Sequence, residues 1–143
     1  MDSPLLVRTA EPADRLAADA LVTAAGWTAE QRRAWRDGAP AIVLYDPADT
    51  TVHGAVMVSR GEPGVFDLMA WAVAPALDQC AAARRLVDAM ANRVRRAGGE
   101  RMVVSVHDET AGSLLEACGF HNLSRCDENV SAGGIVVTYH LEL

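Results

Sequence analysis

The feature that most constrains the fold is an apolar strand, a long amphipathic helix and a second apolar strand in succession. Val65–Val73 is rich in valine and aromatic residues, which predicts the first strand. From about Gln79 to Ala97 apolar side chains recur at helical spacing, and Gly98-Gly99 predicts the end of this helix. Arg101–Val106, which reads RMVVSV, is typical of a strand buried on both faces. These segments predict a βαβ unit with a right-handed crossover and two parallel strands.

Shorter helices and strands are predicted on both sides of this unit. The further strands are expected at Leu5–Arg8, Ala41–Tyr45, Val52–Arg60, and about 122–126 and 135–143, and the further helices at about 12–25, 28–36 and 110–118. Strands that alternate with helices in this way form a sheet covered by helices. The sequence therefore predicts an α/β fold, more closely an α+β mixed sheet of about six to seven strands with four helices, in one domain spanning residues 1–143.

Composition excludes several classes of function. The formal net charge of -6 has the wrong sign for non-specific nucleic-acid binding. The sequence has no run of about 18 apolar residues, so we expect no membrane span. The amino-terminal segment also lacks the apolar core of a secretion signal. Three cysteines, an odd number without metal-ligand spacing, predict reduced thiols, no metal site and a cytoplasmic location.

The turn between the strand and the helix of the βαβ unit has a specific pattern. It reads VAPALDQCAAARRLV from Val73 to Val87. This segment resembles the cofactor turn of the GNAT acetyltransferase family, which transfers acyl groups from coenzyme A to amines. The family's turn reads Val-x-Pro, two residues, Arg or Gln, two residues, Gly, one residue, Gly or Ala, and an apolar pair. Val73-Ala74-Pro75 and Leu86-Val87 match both ends of that pattern in register.

The resemblance extends over essentially the whole chain in the order of its elements. The opening VRTAEPADRLAADAL resembles the family's first strand and helix, and GAVMVS at 54–59 resembles its third strand. Further on, DETAGSLLEACGF resembles the family's Asn-x-x-Ala…Tyr-x-x-x-Gly-Phe phrase, with Ala111 and Gly119-Phe120 matching. The resemblance implies a GNAT-like fold and an acyl-CoA-dependent N-acyltransferase. Its cofactor would be acetyl-CoA or another acyl-CoA, and its acceptor a small amine.

Three positions inside the turn bear on whether coenzyme A binds. Asp78 takes the Arg or Gln position, Ala81 takes the first Gly, and Ala83 takes the second, where the family tolerates Ala. Asp78 precedes the predicted helix, where its carboxylate accepts hydrogen bonds from the amides that a pyrophosphate uses. Its charge also repels phosphate, by about 4 kcal/mol per charge pair at ~4 Å and an effective dielectric near 20. The sequence therefore predicts a degenerate turn that binds coenzyme A weakly.

Other residues could retain part of the cofactor contact. The amide of Gln79 and the charge of Arg84 lie close to the predicted turn. The resemblance also implies pairing of pantetheine with the strand backbone at Ala72 and Val73, and Asp108 stands at the family's Asn position. The predicted cofactor-binding residues are Ala72, Val73, Asp78, Gln79, Ala81, Ala83, Arg84 and Asp108.

The residues for proton transfer match the family less well. Leu115 replaces the tyrosine that in the family usually protonates the departing thiolate, and leucine has no proton to donate. Cys118 and His107 are the candidates for that role, although Cys118 also fits a buried helix thiol and His107 a strand-end imidazole. Asp67 lies on the strand where the family often positions the base that deprotonates the amine; a solvent-facing carboxylate is the alternative.

Two tryptophans are predicted to line an acceptor pocket. Trp27 begins the segment that corresponds to the lid over the acceptor site in the resembled fold, and Trp71 lies on the strand of the βαβ unit. Aromatic walls suit an apolar or ring-bearing ligand, whereas packing of short helices on the sheet is the alternative. The acidic balance of the chain weakly favours a cationic amine.

Two other functions are compatible with the same residues. One is an enzyme on this scaffold that acts on a small molecule without coenzyme A. The other is a non-catalytic binding or regulatory module. The replacements at Asp78, Ala81 and Leu115 together favour both of these functions. A homodimer is also compatible with the sequence, because the last strand is predicted to have an exposed edge that could pair with a second chain.

Overall fold

The structure is a computed structural model that describes residues 5–48, 50–106, 109–126 and 136–143. The strands are β1 (Leu6–Thr9), β2 (Ala41–Asp46), β3 (Thr51–Arg60), β4 (Val65–Val73), β5 (Arg101–Val106), β6 (His121–Cys126) and β7 (Val136–Glu142). The helices are α1 (Pro12–Ala17), α2 (Asp19–Ala24), α3 (Ala29–Arg36), α4 (Gln79–Arg96) and α5 (Glu109–Ala117). None of these described helices is both long and apolar enough to cross a membrane.

The strands form one mixed sheet in the order β1-β2-β3-β4-β5-β7-β6. Neighbouring strands are antiparallel except β4 and β5, which are parallel. Because α4 connects β4 to β5 and packs against β2, β3 and β4, the predicted βαβ unit is confirmed. The predicted fold class, a mixed sheet with helices on its faces, is confirmed as well.

The described part of the chain has five helices where the sequence predicted four, because the helix expected over 12–25 is interrupted at Ala18. Ala18 has a ψ of 1°, far from the helical value of about −42°, although neither glycine nor proline is present at the break. The buried side of the two short helices carries Asp14, Ala18 and Val22. A carboxylate is tolerated there because Arg8 donates two hydrogen bonds to Asp14, at 2.7 and 3.2 Å.

A β-bulge in β4 directs the two halves of that strand towards different helices. The pairing of β4 with β3 skips Met69, which is therefore an extra residue. Before the bulge, Phe66 and Leu68 belong to the core beneath α4 and α5. After it, Ala70 and Ala72 belong to a second core beneath α1, α2 and α3. The strand thus contributes buried side chains to both layers.

The prediction that β5 is buried on both faces is wrong. Met102, Val104 and Val106 are buried, whereas Ser105 is exposed. The physical reason is the extent of the α1–α3 layer, whose described core includes residues of β2, β3 and β4 but none of β5. The face of β5 that carries Ser105 therefore remains uncovered.

The last strand does not form an edge of the sheet, so the basis on which a homodimer was expected is wrong. β7 lies between β5 and β6 and pairs with both of them, and the outermost strands are β1 and β6. We expected an exposed edge because β7 is the last strand along the chain. In the structure it lies inside the sheet, since β6 pairs with its outer side.

Candidate functional site

The parallel strands β4 and β5 separate and leave a gap in the sheet. Their pairing is limited to Val65–Asp67 with Arg101–Val103. Beyond these residues β4 continues along β3, and β5 continues along β7. The carboxyl ends of both strands therefore border an opening that faces both helical layers.

On the α1–α3 side, the gap opens into a pocket of about 300 Å³, here called the lid pocket. Its lining includes Trp27, Gln31, Met69, Trp71, Ser105 and Val106. Among the residues that the structure describes, none of those lining it has a charged side chain. A pocket of this size is at the lower end of those that hold small molecules, so it suits a compact, uncharged ligand.

The structure brings Trp27 and Trp71, the two predicted pocket residues, together at the lid pocket, but the Trp71 side chain packs with the core on the α4–α5 side. The indole Nε1 of Trp27 donates a hydrogen bond to the carbonyl oxygen of Trp71 at 2.9 Å. The Trp27 ring also meets the Trp35 ring edge-on, with the centroids 5.6 Å apart. Gly26, with φ of 84°, ends α2 in the left-handed conformation and directs the chain into this position.

Gln31 attaches the other end of the lid to β4 and was not among the predicted site residues. Its Oε1 accepts a hydrogen bond from the Thr28 amide at 2.8 Å, and Thr28 Oγ1 accepts one from the Gln31 amide at 3.1 Å. Its Nε2 donates to the carbonyl of Met69 in the bulge at 3.0 Å. The Thr-x-x-Gln spacing is a recognisable capping signal, but it does not predict the contact with the bulge.

The edge of β4 that faces the gap is formed by Trp71 and Val73 rather than by Ala72. The amide of Ala74 donates to the carbonyl of His53 at 2.8 Å, so this residue pair is hydrogen-bonded. Because bonded and non-bonded pairs alternate along antiparallel strands, Ala72 directs its backbone groups towards β3. Of the two strand residues predicted to pair with the cofactor, Val73 therefore presents its backbone to the gap and Ala72 does not.

The first turn of α4 is capped by Asp78. Its Oδ1 accepts a hydrogen bond from the Ala81 amide at 3.0 Å. The side-chain amide of Gln79 donates to two carbonyls of the preceding turn, at 2.9 and 3.2 Å. The backbone amides of Gln79 and Cys80 have no acceptor within the helix, as is general for the start of a helix. One amide of the turn is therefore occupied by the cap, and two remain directed outwards.

The other predicted cofactor residues of α4 lie in different surroundings. Ala81 is exposed at the turn, whereas Ala83 is buried under the helix. Arg84 is exposed on the next turn, and its neighbour Arg85 donates a hydrogen bond to the carbonyl of Leu5 at 2.8 Å. Arg84 is thus the arginine near the turn that best retains a charge available to an anion.

On the α4–α5 side, the gap is filled by side chains. Between the described side chains a space of about 10 Å³ remains, here called the apolar cavity, and this is close to the smallest volume that holds one water molecule. Its lining includes Val56, Leu68, Leu86, Val87, Leu115 and Cys118. Leu115, which stands at the family's tyrosine position, is buried and contributes apolar contact there.

Cys118, a predicted proton donor, has an environment that favours packing. Burial, followed by the charge of Asp88, raises the pKa of its thiol from 9.0 to about 11. A thiol that holds its proton this tightly is a weak acid towards a departing thiolate. The buried position in the apolar cavity therefore supports the alternative stated above, a structural helix thiol.

The remaining predicted catalytic residues are not brought into the gap in the described part of the chain. Asp67 is exposed on β4 beside Gly61 and is not among the residues that line the lid pocket or the apolar cavity. His107 and Asp108 lie outside the described residues. Within the described ranges, no three His, Cys, Asp or Glu side chains are grouped so that they could hold a metal ion.

Comparison with known proteins identifies the fold. No protein-family model and no curated protein matches the sequence. A Desulfovibrio desulfuricans protein assigned to the GNAT family of acetyltransferases matches with a TM-score of 0.80 at 20% identity, covering 96% of this chain and 98% of its own. The IAA acetyltransferase of Bacillus cereus matches at 0.77 with 15% identity, covering 97% and 99%. A Bacillus subtilis acetyltransferase solved in complex with CoA matches at 0.78 with 14% identity, covering 97% and 99%.

These three likenesses extend over nearly the whole length of each pair of chains. They agree with the resemblance found in the sequence, from the first strand to the Gly119-Phe120 pair. This chain therefore has the fold of the GNAT acetyltransferases.

Proposed function

We propose that this protein is an acyl-CoA-dependent N-acyltransferase that acetylates a small ring-bearing amine and holds its cofactor through a degenerate turn. The observation that carries this proposal is the lid pocket, an uncharged pocket of about 300 Å³ that is lined by Trp27 and opens onto the free edge of β4. Acceptor and acyl donor would meet at this edge, within the gap between β4 and β5.

Part of the chain fits coenzyme A. The backbone of Val73 faces the gap, where an extended pantetheine arm could pair with it like an added strand. The outward amides of Gln79 and Cys80, with the helix dipole behind them and Arg84 one turn on, favour the pyrophosphate. When bound, the cofactor supplies an acyl group activated as a thioester.

The carboxylate of Asp78 opposes the pyrophosphate end of the cofactor. It occupies the Ala81 amide and adds a negative charge beside the place where two phosphates would lie. The methyl group of Ala81 further limits the approach to the backbone. We therefore expect weaker binding than a turn with glycine and arginine at these positions would give.

The acceptor that best suits the lid pocket is an amine that is uncharged at neutral pH. The described lining has no carboxylate or imidazole to remove a proton, and Asp67 lies outside it. An aromatic amine already has a free lone pair, whereas an alkylammonium ion must first lose a proton. The ring of Trp27, which lines the pocket, would also contact an aromatic acceptor. This acceptor differs from the cationic amine that the acidic balance of the chain favoured.

A second candidate is a cofactor-free function of the same lid pocket, either catalytic or as a binding module. The apolar cavity favours it, because Leu115 and the described side chains around it leave about 10 Å³ between them. The hydrogen bond from the Ala81 amide to Asp78 also favours this candidate, because it occupies an amide that a pyrophosphate would use.

Thermal unfolding with and without millimolar acetyl-CoA tests the proposal. A ligand at 100 times its dissociation constant stabilises the folded state by about 2.7 kcal/mol, which raises the midpoint by several degrees in a domain of this size. An upward shift supports acyl-CoA binding. An unchanged midpoint contradicts it and favours the cofactor-free candidate.

Release of free coenzyme A thiol in the presence of acetyl-CoA then tests the acceptor. Aniline and benzylamine are similar in size, but aniline is uncharged at pH 7.5 and benzylamine is protonated. We expect faster release with aniline, and a slower reaction in Trp27→Ala than in the remote control Leu16→Ala. Faster release with benzylamine would contradict the uncharged acceptor while leaving the acyltransferase proposal intact.

A further inference from the structure

A separate pocket lies away from the gap, where the end of β3 and the start of β4 meet the last turns of α4. Its volume is about 140 Å³. Its floor is formed by Val58, Phe66, Met90 and Val94, and Arg60 and Arg93 also line it. We call it the arginine pocket; it shares no lining residue with the lid pocket or the apolar cavity.

The floor of the arginine pocket is apolar and tightly held. Its four floor side chains are each 5% exposed or less, so they belong to the packed core beneath α4. A cavity of about 150 Å³ with apolar walls accommodates benzene, which sets the scale of a matching ligand. The pocket therefore suits a single ring or a branched aliphatic group of the same size.

The two arginines give the pocket a positive charge that no described carboxylate neutralises. Arg93 donates a hydrogen bond to Thr9 Oγ1 at 2.9 Å, and the Arg60 guanidinium lies 5.0 Å from the centre of the Phe66 ring. Within the described residues, the ion pairs of the structure use other arginines and leave these two without an acidic partner.

The electrostatic surroundings of Arg93 agree with this unneutralised charge. Arg15 lies close enough that its pKa is lowered, first by burial and then by the charge of Arg93. Asp14, the nearest carboxylate acting on Arg15, is already bonded to Arg8. An anion that entered the arginine pocket would therefore meet an excess of positive charge.

We propose that the arginine pocket binds a small carboxylate with an apolar body of about the size of one ring. The carboxylate would lie between Arg60 and Arg93, whose planar guanidinium groups match its two oxygens. The ring would rest on Val58, Phe66, Met90 and Val94. A phosphate ion alone would leave this apolar floor unfilled, and a neutral ring would leave the two cations unpaired.

Titration of the folded protein with benzoate, followed by amide NMR shifts at low ionic strength, tests the proposal. We expect a dissociation constant on the order of 1 mM, with shifts at the end of β3 and the last turns of α4. Benzyl alcohol, which has the same ring and no charge, should bind about tenfold more weakly. Equal binding of the two probes, shifts at the gap instead, or no shift up to about 10 mM benzoate would overturn the proposal.

Two substitutions separate the parts of the proposed site. Arg93→Gln should raise the dissociation constant for benzoate about tenfold, whereas Arg95→Gln on the same turn, whose guanidinium bonds Asn92, should leave it unchanged. Ala97→Leu keeps both arginines but adds volume at the pocket lining, and should also abolish the benzoate shifts. Unchanged binding in both Arg93→Gln and Ala97→Leu would place the carboxylate elsewhere and contradict the assignment.

Discussion

The two sides of the gap between β4 and β5 differ in how their space is used. On the α1–α3 side, the lid pocket leaves about 300 Å³ open, and its walls are attached to β4 by polar bonds from Trp27 and Gln31 to backbone carbonyls. On the α4–α5 side, the apolar cavity leaves about 10 Å³, because aliphatic side chains meet across it. The α1–α3 side therefore has room for a small molecule, whereas the described side chains on the α4–α5 side are packed as in a protein core.

This difference shows that a shared fold does not fix how the space on the two sides of the gap is filled. The splayed strands and the lid follow from the topology of the sheet and from short helices, which the GNAT-like architecture supplies. The α4–α5 side depends on single side chains, such as Leu115 in the apolar cavity and Asp78, which caps the Ala81 amide. Function therefore has to be argued from those residues, not from the fold.

The largest expected effect comes from opening the packed side. Leu115→Ala removes a buried side chain from the apolar cavity and should lower the free energy of unfolding by about 2–5 kcal/mol, measured by urea denaturation. The matched control is Leu16→Ala, because Leu16 is 79% exposed and its loss should change stability by no more than about 0.5 kcal/mol. Equal effects of the two substitutions would mean that Leu115 does not fill a packed region.

The second effect concerns the cap of α4. The double substitution Asp78→Arg with Ala81→Gly removes the carboxylate from the turn, frees the Ala81-position amide and adds a positive charge. We expect coenzyme A to bind about 100-fold more tightly, equivalent to about 2.7 kcal/mol, as measured by calorimetry. Asp88→Arg makes the same charge change on an exposed position of α4 and should give less than about a threefold gain. A similar gain in affinity in both variants would mean that Asp78 affects coenzyme A binding only through the net charge of the protein.

The third effect tests whether water reaches the Cys118 thiol in the apolar cavity. The pKa of Cys118 is raised to about 11, so between about pH 9 and 11 the unfolded chain loses this proton while the folded chain keeps it. The contribution of this thiol to the free energy of unfolding is therefore fully present below about pH 9, and it falls by about 2 kcal/mol as the pH rises to about 11. Urea midpoints across this range should fall more steeply in the wild type than in Cys118→Val. The sequence contains no lysine, so few other groups titrate there. Parallel curves for the two proteins would indicate a solvated thiol.

Much of the fold was predictable because its signals are local. The helical spacing after Gln79 and the apolar runs on either side of it predict the βαβ unit without knowledge of any distant contact. The capping of α4 was equally accessible, since an aspartate directly before a helix has a short-range partner in the amide three residues on. The pairing of Trp27 and Trp71 in one pocket came from the resemblance to a known fold, which supplied the long-range information.

What the sequence did not predict depends on pairing between distant segments. The bulge at Met69 exists only in register with β3, and the position of β7 inside the sheet depends on which strand it returns to. The burial of Asp14 likewise requires Arg8 from β1, so a pattern of apolar residues alone does not predict that this carboxylate lies on the buried side of the helices around Ala18. The role of Gln31 was missed for the same reason, because its partner is the carbonyl of the bulge.

The smallest effect concerns the hydrogen bond that attaches Trp27 to β4 beside the lid pocket. Trp27→Phe keeps most of the ring but removes the hydrogen bond to the Trp71 carbonyl, which should lower stability by about 1 kcal/mol. It should also speed hydrogen exchange of the Ala72 and Ala74 amides, which bond β3 at the end of β4 that the lid holds, because the lid would leave the β4 edge more often. Trp35→Phe removes a similar bond, from its indole to the Arg15 carbonyl at 2.9 Å, and should destabilise the protein without this local change at β4. If both variants speed exchange at β4 equally, the lid is not a separate opening unit, and the contrast between the two sides of the gap is one of static packing alone.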